Sequence, residues 1–222
     1  MLGSVAENDP DLATMICSAG HEIASHGYSH TLVPDLTPQQ FSEELQLTER
    51  ILMEQTGQQP VGYRAPQWSL SEQTGWAFVI LRERGYLYDS SLNPLPFVGN
   101  ANGSRVPYRL EGEGAGLWEI PPMVTKSLIG NLPTGGGWGF RFFPFRTILT
   151  TVESLNHKHH PAVLYLHPRE VDPEGPRLDL PLLKRFVSYG TRMDATTRLN
   201  ELCRRYRFKT LKELVYEWQP VS

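Results

Sequence analysis

The 222 residues, 40% of them hydrophobic, are enough for one domain with a buried core or for two small ones. A net charge of -3 gives no basic footprint, so nucleic acid is not an expected partner. No apolar run approaches the roughly 20 residues of a membrane span, and the two cysteines, Cys17 and Cys203, lie far apart, which indicates a reducing, cytoplasmic setting rather than a disulfide framework.

Helix and strand signals alternate along the first part of the chain. Residues 2–5 read as the tail of a strand or as its loop, and a short helix is predicted at 12–18. The run 21–25 alternates apolar and polar residues, which is typical of a strand. Thr37, followed by a proline and, three residues on, a glutamine, marks a capping box for a helix that ends at Gly57. The next signals predict a strand at 60–63, a helix from Ser71 to Gly85 and a strand at 86–88.

Loops are more frequent in the second half. Residues 93–116 are rich in Pro and Gly and suggest a short hairpin, and 126–141 interleave glycines with aromatic residues. Helical periodicity is clear at 145–157, and 161–166 (PAVLYL) is the strongest strand signal. Because strands alternate with helices, we expect an α/β fold with parallel strands and helices outside them. The remaining predictions are a strand at 117–121, helices at 179–189 and 191–207, a strand at 208–210 and a last helix at 211–218.

Four predicted strands end in chemically capable residues, namely His26, Arg64, Asp89 and His167. In parallel α/β folds, sites gather at the carboxyl ends of strands, so these residues are candidates for one site. His30 lies four residues after His26, and neutral imidazole is the commonest protein ligand for zinc-like metals. The pair therefore predicts a metal site with open coordination positions.

These residues, with their neighbours, resemble the polysaccharide deacetylases with a NodB homology domain, carbohydrate esterase family 4. The matching motifs are His-x-x-x-His at 26–30, Arg-x-Pro at 64–66 with a tryptophan two residues on, a strand ending in Asp89, and Leu-His-Pro at 166–168. The sequence around these motifs (GHEIASHGYSH, YLHPRE) is similar to that of the subgroup encoded with exopolysaccharide and exosortase loci. The resemblance covers nearly the whole chain.

The resemblance implies an irregular (β/α) barrel and hydrolysis of the acetamide of N-acetylhexosamine units with a divalent metal, usually zinc, with cobalt or nickel as alternatives. It makes His26 and His30 metal ligands and His167 the general acid that protonates the departing amine. Arg64 would hold the catalytic base, and Asp89 would orient His167. The residues expected to contact a polysaccharide or oligosaccharide substrate are Pro66, Trp68 and Trp138.

The sequence departs from the family at its first motif, an Asp-Asp pair that supplies the base and the third metal ligand. No such pair occurs in the chain, and residues 1–5 align with the family's second strand. We therefore expect a single domain over 1–222 that lacks its first strand, with a helical C-terminal extension at 172–222. Neither Asp35, in a loop, nor Glu22, in mid-strand, is a good substitute for the pair.

Some of these residues also have purely structural interpretations. Arg64 fits a buried salt bridge, and Asp89 fits an Asx turn at a strand end. The glycines at 135–137 are either a flap beside the site or a plain turn. A further histidine group lies at a helix end, where the dipole favours cations; its members are His157, His159 and His160.

Three functions fit these observations. The first is metal-dependent deacetylation of an N-acetylhexosamine polysaccharide, impaired by the missing motif. The second is non-catalytic carbohydrate binding on a degenerate barrel. The third is an amidohydrolase of the same superfamily that opens cyclic imides or ureides without needing the metal. The sequence predicts neither the glycan nor the oligomeric state.

Overall fold

The computed structural model describes residues 1–112, 116–172, 174–190 and 195–218, without the side chain of Glu72. Its helices are α1 (Gly3–Asn8), α2 (Pro10–Ser18), α3 (Pro38–Thr56), α4 (Trp76–Glu83), α5 (Gly137–Phe142), α6 (Phe145–His157), α7 (Pro168–Val171), α8 (Leu182–Tyr189), α9 (Ala195–Arg205) and α10 (Leu211–Trp218). Its strands are β1 (Gly62–Tyr63), β2 (Tyr88–Asp89), β3 (Tyr108–Leu110), β4 (Leu117–Glu119), β5 (Thr125–Ser127) and β6 (Gly130–Leu132).

The chain divides into two compact units. Unit 1 comprises Met1–Asn93, Pro107–Ile120 and Lys209–Ser222, whereas unit 2 comprises Pro94–Val106 and Pro121–Phe208. The prediction of one domain with a helical extension at 172–222 stays a prediction.

Unit 1 is built on a sheet with the strand order β1-β2-β4-β3. The pairs β1–β2 and β2–β4 are parallel, and β3 is antiparallel to β4. On the other side of β1, Ser25 forms a parallel bridge with Tyr63. The amino group of Met1 donates to the carbonyl of Ala24 at 2.6 Å, and the amide of His26 donates to the carbonyl of Met1 at 2.8 Å. Backbone bonds on both sides thus fix the segment that leads into His26.

Helix α3 begins and ends where its capping signals predict. The Thr37 hydroxyl oxygen accepts from the amide of Gln40 at 3.2 Å, and the Gln40 side chain accepts from the amide of Thr37 at 2.9 Å. Gly57 ends the helix at a φ of 68°, which glycine adopts without a Cβ penalty. The buried face, including Phe41 and Leu45, packs into the core of unit 1.

Residues 2–5 belong largely to helix α1, so the predicted strand tail is wrong. The amide of Gly3 donates to the carbonyl of Gly27 at 2.9 Å, and the amide of Ser4 donates to that of Tyr28 at 3.2 Å. The start of the helix is therefore satisfied by the loop that carries the two histidines. These partners are distant in sequence, which is why the local pattern did not predict a helix.

A buried ion pair joins α3 to the end of α4. Arg84 donates from Nε to Glu49 Oε1 at 2.9 Å and from its terminal nitrogen to Oε2 at 2.5 Å, and the Glu49 side chain is 8% exposed. Arg84→Ala is expected to lower the free energy of unfolding by about 3 kcal/mol, because it leaves a buried carboxylate without its charge partner. Urea denaturation measures this loss. Arg50→Ala, at an exposed position of α3, is the control; equal losses for both variants would contradict the prediction.

Unit 2 contains α6, which confirms the helix predicted at 145–157. The segment 161–166 is extended, but it carries only one bridge, between Tyr165 and Gly136, and the carbonyl of Val163 accepts from the amide of Met123 at 2.9 Å. The prediction of a full strand there is wrong, and so is the strand at 208–210.

The mixed α/β class is confirmed. Within 93–116 the described residues contain one strand, β3, which pairs with β4, the strand predicted separately at 117–121; β5 and β6 form a second, two-stranded sheet. The strands of the described ranges form these two sheets rather than a closed barrel. Helix α10 matches its prediction, α8 and α9 are shorter than expected, and 191–194 lie outside the described residues. No helix in the described part of the chain is long and apolar enough to cross a membrane.

Candidate active site

The loop from His26 to His30 is shaped by two residues with positive φ. Gly27 has a φ of 75°, and His30 has a φ of 64°. A non-glycine residue in this region is strained and persists only where its surroundings hold it. Glu44 of α3 provides that hold: its carboxylate accepts from the amide of Tyr28 at 3.1 Å and also from the hydroxyl of Ser29. Hydrogen bonds to helix α3 therefore fix the turn between the two histidines.

His26 has a defined tautomer. Its Nδ1 lies 2.5 Å from the backbone carbonyl oxygen of Arg64. A carbonyl oxygen only accepts, so Nδ1 carries the proton and Nε2 keeps its lone pair. Burial lowers the pKa of His26 to about 4, and the charges of His30 and Arg64 act in the same direction. The ring is therefore neutral near pH 7, with a nitrogen ready to bind a cation.

The distance between the two imidazoles is compatible with their binding a single ion. The ring centroids of His26 and His30 are 5.2 Å apart, with an interplanar angle of 72°. Two imidazole nitrogens that each lie about 2.0–2.1 Å from one tetrahedral ion place their ring centroids roughly 5 Å apart. Nitrogen donors of this kind suit zinc, cobalt and nickel. Among the residues described, however, no group of three His, Cys, Asp or Glu side chains is arranged to hold a metal.

Arg64 follows β1 and bonds to the next strand end. Its Nε donates to the carbonyl of Ser90 at 3.0 Å, and a terminal nitrogen donates to the Ser90 hydroxyl at 2.8 Å. The guanidinium carbon lies 5.0 Å from the centroid of the Trp68 ring. Gln67 and Trp68 have φ values of 51° and 59°, in a turn that begins at the buried Pro66. This turn, with its two positive φ values, brings the Trp68 ring against the Arg64 guanidinium.

A buried carboxyl pair lies at the same edge of the sheet. Asp89 ends β2 and is the register partner of Glu119 in β4, and both residues are fully buried. Asp89 accepts from the Ser91 hydroxyl at 2.6 Å and from the Ser91 amide at 3.1 Å, while Glu119 accepts from the amide of Leu92 at 3.0 Å. Burial raises the pKa of Asp89, and it raises the pKa of Glu119 well above the usual range.

In unit 2, the side chain of His167 contacts the carboxylate of Glu170. The Nδ1 of His167 lies 3.1 Å from Glu170 Oε1; the His167 side chain is 46% exposed, and that of Glu170 is 1% exposed. Burial lowers the pKa of Arg141, and the charge of Glu170 offsets part of this effect. Nδ1 of His167 therefore faces a buried acceptor, and Nε2 is the ring nitrogen that this contact does not use.

Trp138 belongs to an aromatic group of unit 2. Its ring centroid lies 5.8 Å from those of Phe142 and Phe143 and 6.3 Å from that of Phe186. Trp138 is partly exposed. Of the glycines before it, Gly136 forms a bridge with Tyr165 and Gly137 begins α5; the flap and the plain turn both stay predictions.

Family comparisons fall on both halves of the chain. Residues 1–84 match the polysaccharide deacetylase family, and residues 90–216 match a domain of unknown function, DUF3473. The first match contains the His-x-x-x-His and Arg-x-Pro motifs described above. The chain belongs to the DUF3473 family, whose model covers more than half of it, and residues 1–84 match the polysaccharide deacetylase family.

Two curated proteins are similar to part of this chain. A peptidoglycan deacetylase of Helicobacter pylori is 33% identical over 117 residues, which are 50% of this chain and 39% of that protein. A peptidoglycan deacetylase-like protein of Gibberella zeae is 36% identical over 91 residues, which are 41% of this chain and 26% of that protein. The chain thus spans well under half of the length of either relative.

Solved structures confirm the NodB-type fold of this chain. A candidate polysaccharide deacetylase from Mycobacterium smegmatis aligns with a TM-score of 0.66 at 23% identity, over 97% of this chain and 69% of its own. A PuuE allantoinase aligns with a TM-score of 0.64 at 21% identity, over 98% of this chain and 65% of its own. A family 4 pseudoenzyme from Bacillus anthracis aligns with a TM-score of 0.51 at 16% identity, over 96% of this chain and 53% of its own.

The geometry separates the predicted site residues by their surroundings. His26, Arg64 and Asp89 share the carboxyl edge of the parallel strands in unit 1, whereas His167 and Trp138 belong to unit 2. The catalytic and metal roles assigned to them stay predictions. The partners seen for Asp89 are Ser91 and Glu119, and the carboxylate bonded to His167 is that of Glu170.

Sequence reasoning missed Glu119 and Glu170. A signal existed for each: Glu119 is a charged residue inside the apolar run LWEIPP, and Glu170 lies three residues after His167. Asp35 lies exposed in a short 3-10 turn, Val33–Asp35. The Glu22 carboxylate accepts from the Tyr88 hydroxyl at 2.8 Å and from the Lys212 amide at 3.0 Å. Both arrangements are structural.

Proposed function

We propose that this chain contributes to metal-dependent hydrolysis of the N-acetyl amide in an N-acetylhexosamine polysaccharide. The observation that carries the proposal is the bond from His26 Nδ1 to the carbonyl of Arg64, which leaves Nε2 for a metal. His26 and His30 would bind the ion, which is most often zinc in the family. The curated relatives point to peptidoglycan as a first substrate to assay, with exopolysaccharides as the second.

The chemistry that a divalent ion supplies when bound is polarisation of the amide carbonyl and a bound water of lowered pKa. His26 presents its free nitrogen because the Arg64 carbonyl holds its proton. His167 would protonate the departing amine, since an amide nitrogen leaves poorly as an anion. Glu170 would hold the proton on Nδ1 and stabilise the imidazolium form, as a buried carboxylate does in hydrolase triads. Trp68 and Trp138 would contact sugar rings.

Acetate release from N-acetylated glycan strands tests this proposal. We expect zinc or cobalt to bind with a stoichiometry near one and acetate to be released in proportion to bound metal. A chelator should abolish both signals. Absence of any metal uptake would contradict the proposal for this chain, and ring opening of cyclic imides that persists with chelator would favour the amidohydrolase alternative.

Non-catalytic carbohydrate binding is the second candidate. The observation that favours it is that, in the described ranges, no third metal-ligating side chain joins His26 and His30. One structural neighbour is itself described as a pseudoenzyme. This candidate predicts oligosaccharide affinity that is unchanged in His167→Ala, with no acetate released by the wild-type protein.

A further inference from the structure

Two acidic side chains lie together where water does not reach. Asp89 and Glu119 are register partners on neighbouring parallel strands, so their side chains project from the same face of the sheet. Both residues are 0% exposed. Two adjacent carboxylates in a dry site do not both ionise, because each charge raises the cost of the other.

The donors around the pair show where a single proton belongs. Both oxygens of Asp89 accept from Ser91, one from its hydroxyl at 2.6 Å and the other from its amide at 3.1 Å, which favours the ionised form. Glu119 Oε1 accepts from the Leu92 amide at 3.0 Å. Its Oε2 is buried, and none of the described residues offers it a hydrogen bond of normal geometry. The side chains of Glu119 and Asp89 are close enough to share a hydrogen bond, so a proton on Oε2 lets this atom donate to Asp89.

We propose that Asp89 and Glu119 share one proton, carried by Glu119, and that the pair positions His26 through the peptide group between Arg64 and Ala65. The Ser91 hydroxyl donates to Asp89, so its oxygen is oriented to accept from the amide of Ala65 at 2.8 Å. The carbonyl of that peptide group receives the Nδ1 proton of His26. A continuous series of bonds therefore runs from the buried acid pair to the imidazole.

Charge balance supports this arrangement. The Arg64 guanidinium lowers the pKa of both carboxyl groups, so one positive charge faces the single negative charge of the pair. The other titratable groups that face the pair are the hydroxyls of Tyr63, Tyr88 and Tyr108. Burial raises the pKa of the first two well above the usual range and that of Tyr108 to about 12, so all three stay neutral near pH 7.

The pair has a predicted pH signature. Because the pKa of Glu119 is higher in the folded than in the unfolded chain, the folded state binds more protons. The stabilisation is present below the ordinary carboxyl pKa and is lost as pH rises through the folded pKa. His26 has the opposite effect, since its lowered pKa makes stability rise with pH between about 4 and its ordinary value. The difference between wild type and Glu119→Gln isolates the contribution of the acid pair.

Infrared spectroscopy of the metal-free protein tests the proton directly. At pH 7 the wild type is expected to show the C=O band of a protonated carboxylic acid, and Glu119→Gln is expected to lack it. Glu54→Gln, at an exposed site of α3, is the control and should keep the band. A wild type without the band, or a band that survives in Glu119→Gln, would overturn the proposal.

Stability and nuclear magnetic resonance test the positioning role. Glutamine keeps an N–H for Asp89 and an acceptor for Leu92, so Glu119→Gln should match the wild-type urea midpoint below the ordinary carboxyl pKa and should lack the wild-type decline above it. Glu119→Leu should lower the midpoint and should speed solvent exchange of the His26 Nδ1 proton by about 10-fold, which corresponds to the loss of one hydrogen bond from the series. Unchanged exchange in Glu119→Leu would reject the positioning role.

These measurements use metal-free protein, so they decide the proposal whether or not the chain binds zinc. Only one arm rests on the proposed function: if His26 is a ligand, Glu119→Leu should weaken zinc binding by about 10-fold while Glu119→Gln leaves it unchanged. Failure of this arm alone, with the infrared and exchange results as expected, would count against the metal site and not against the acid pair.

Discussion

Replacement of His26 by alanine is expected to weaken zinc binding by more than about 100-fold, because loss of an outer hydrogen-bond partner alone costs about 10- to 100-fold and this change removes a direct ligand. The variant should also release no acetate from glycan. His26 is the proposed ligand whose geometry is best defined, since its Nδ1 proton is held by the Arg64 carbonyl and the His30 ring centroid is 5.2 Å away. Titration calorimetry with zinc measures the effect.

His21→Ala is the matched control for this experiment. His21 lies five residues earlier in the same segment, and its side chain is exposed. The His21→Ala variant should bind zinc with the affinity of the wild type. Equal affinity of wild type and His26→Ala would show that the ion is held elsewhere, and equal losses in both variants would show a general disturbance of the segment.

Replacement of His167 by alanine is expected to lower kcat by about 100- to 10,000-fold, the usual contribution of a general acid. Zinc affinity should not change, because the residue acts on the leaving amine. Glu170→Gln is expected to lower kcat by about 10- to 100-fold with little effect on KM, since glutamine keeps the side-chain volume but does not stabilise a charged imidazole. Acetate release at saturating substrate measures both effects.

His157→Ala is the control in unit 2, because this residue lies exposed at the end of α6. It should have wild-type kcat. A His167→Ala variant with wild-type kcat would remove His167 from the mechanism. A Glu170→Gln variant that raises KM and leaves kcat unchanged would place Glu170 in substrate binding.

The helices were the most predictable part of the fold, because their signals are local. The Thr37 capping box, Gly57 and the periodicity of 145–157 all lie within a few residues of the elements that they define. The strands were less predictable, since they are two or three residues long and depend on distant partners. The run 21–25 contains a single bridge at Ser25, although its alternation reads as a full strand.

The candidate site was predictable wherever a motif ended a strand. His26, Arg64 and Asp89 were found in this way, and parallel pairing explains why they share an edge. The two glutamates were missed for a physical reason: the alternation of a short strand does not show which face is dry, and the register that joins Asp89 to Glu119 arises only when β2 and β4 pair. The bond between His167 and Glu170 likewise depends on the turn that begins α7.

X-ray absorption at the zinc edge is the most direct measurement of the central claim, that His26 and His30 hold the metal of a deacetylase site. The predicted spectrum of the zinc-loaded protein shows two imidazole ligands, and this signal disappears in the double variant His26→Ala, His30→Ala. A spectrum without imidazole, or one that the double variant leaves unchanged because His157, His159 or His160 binds the ion, would contradict the claim.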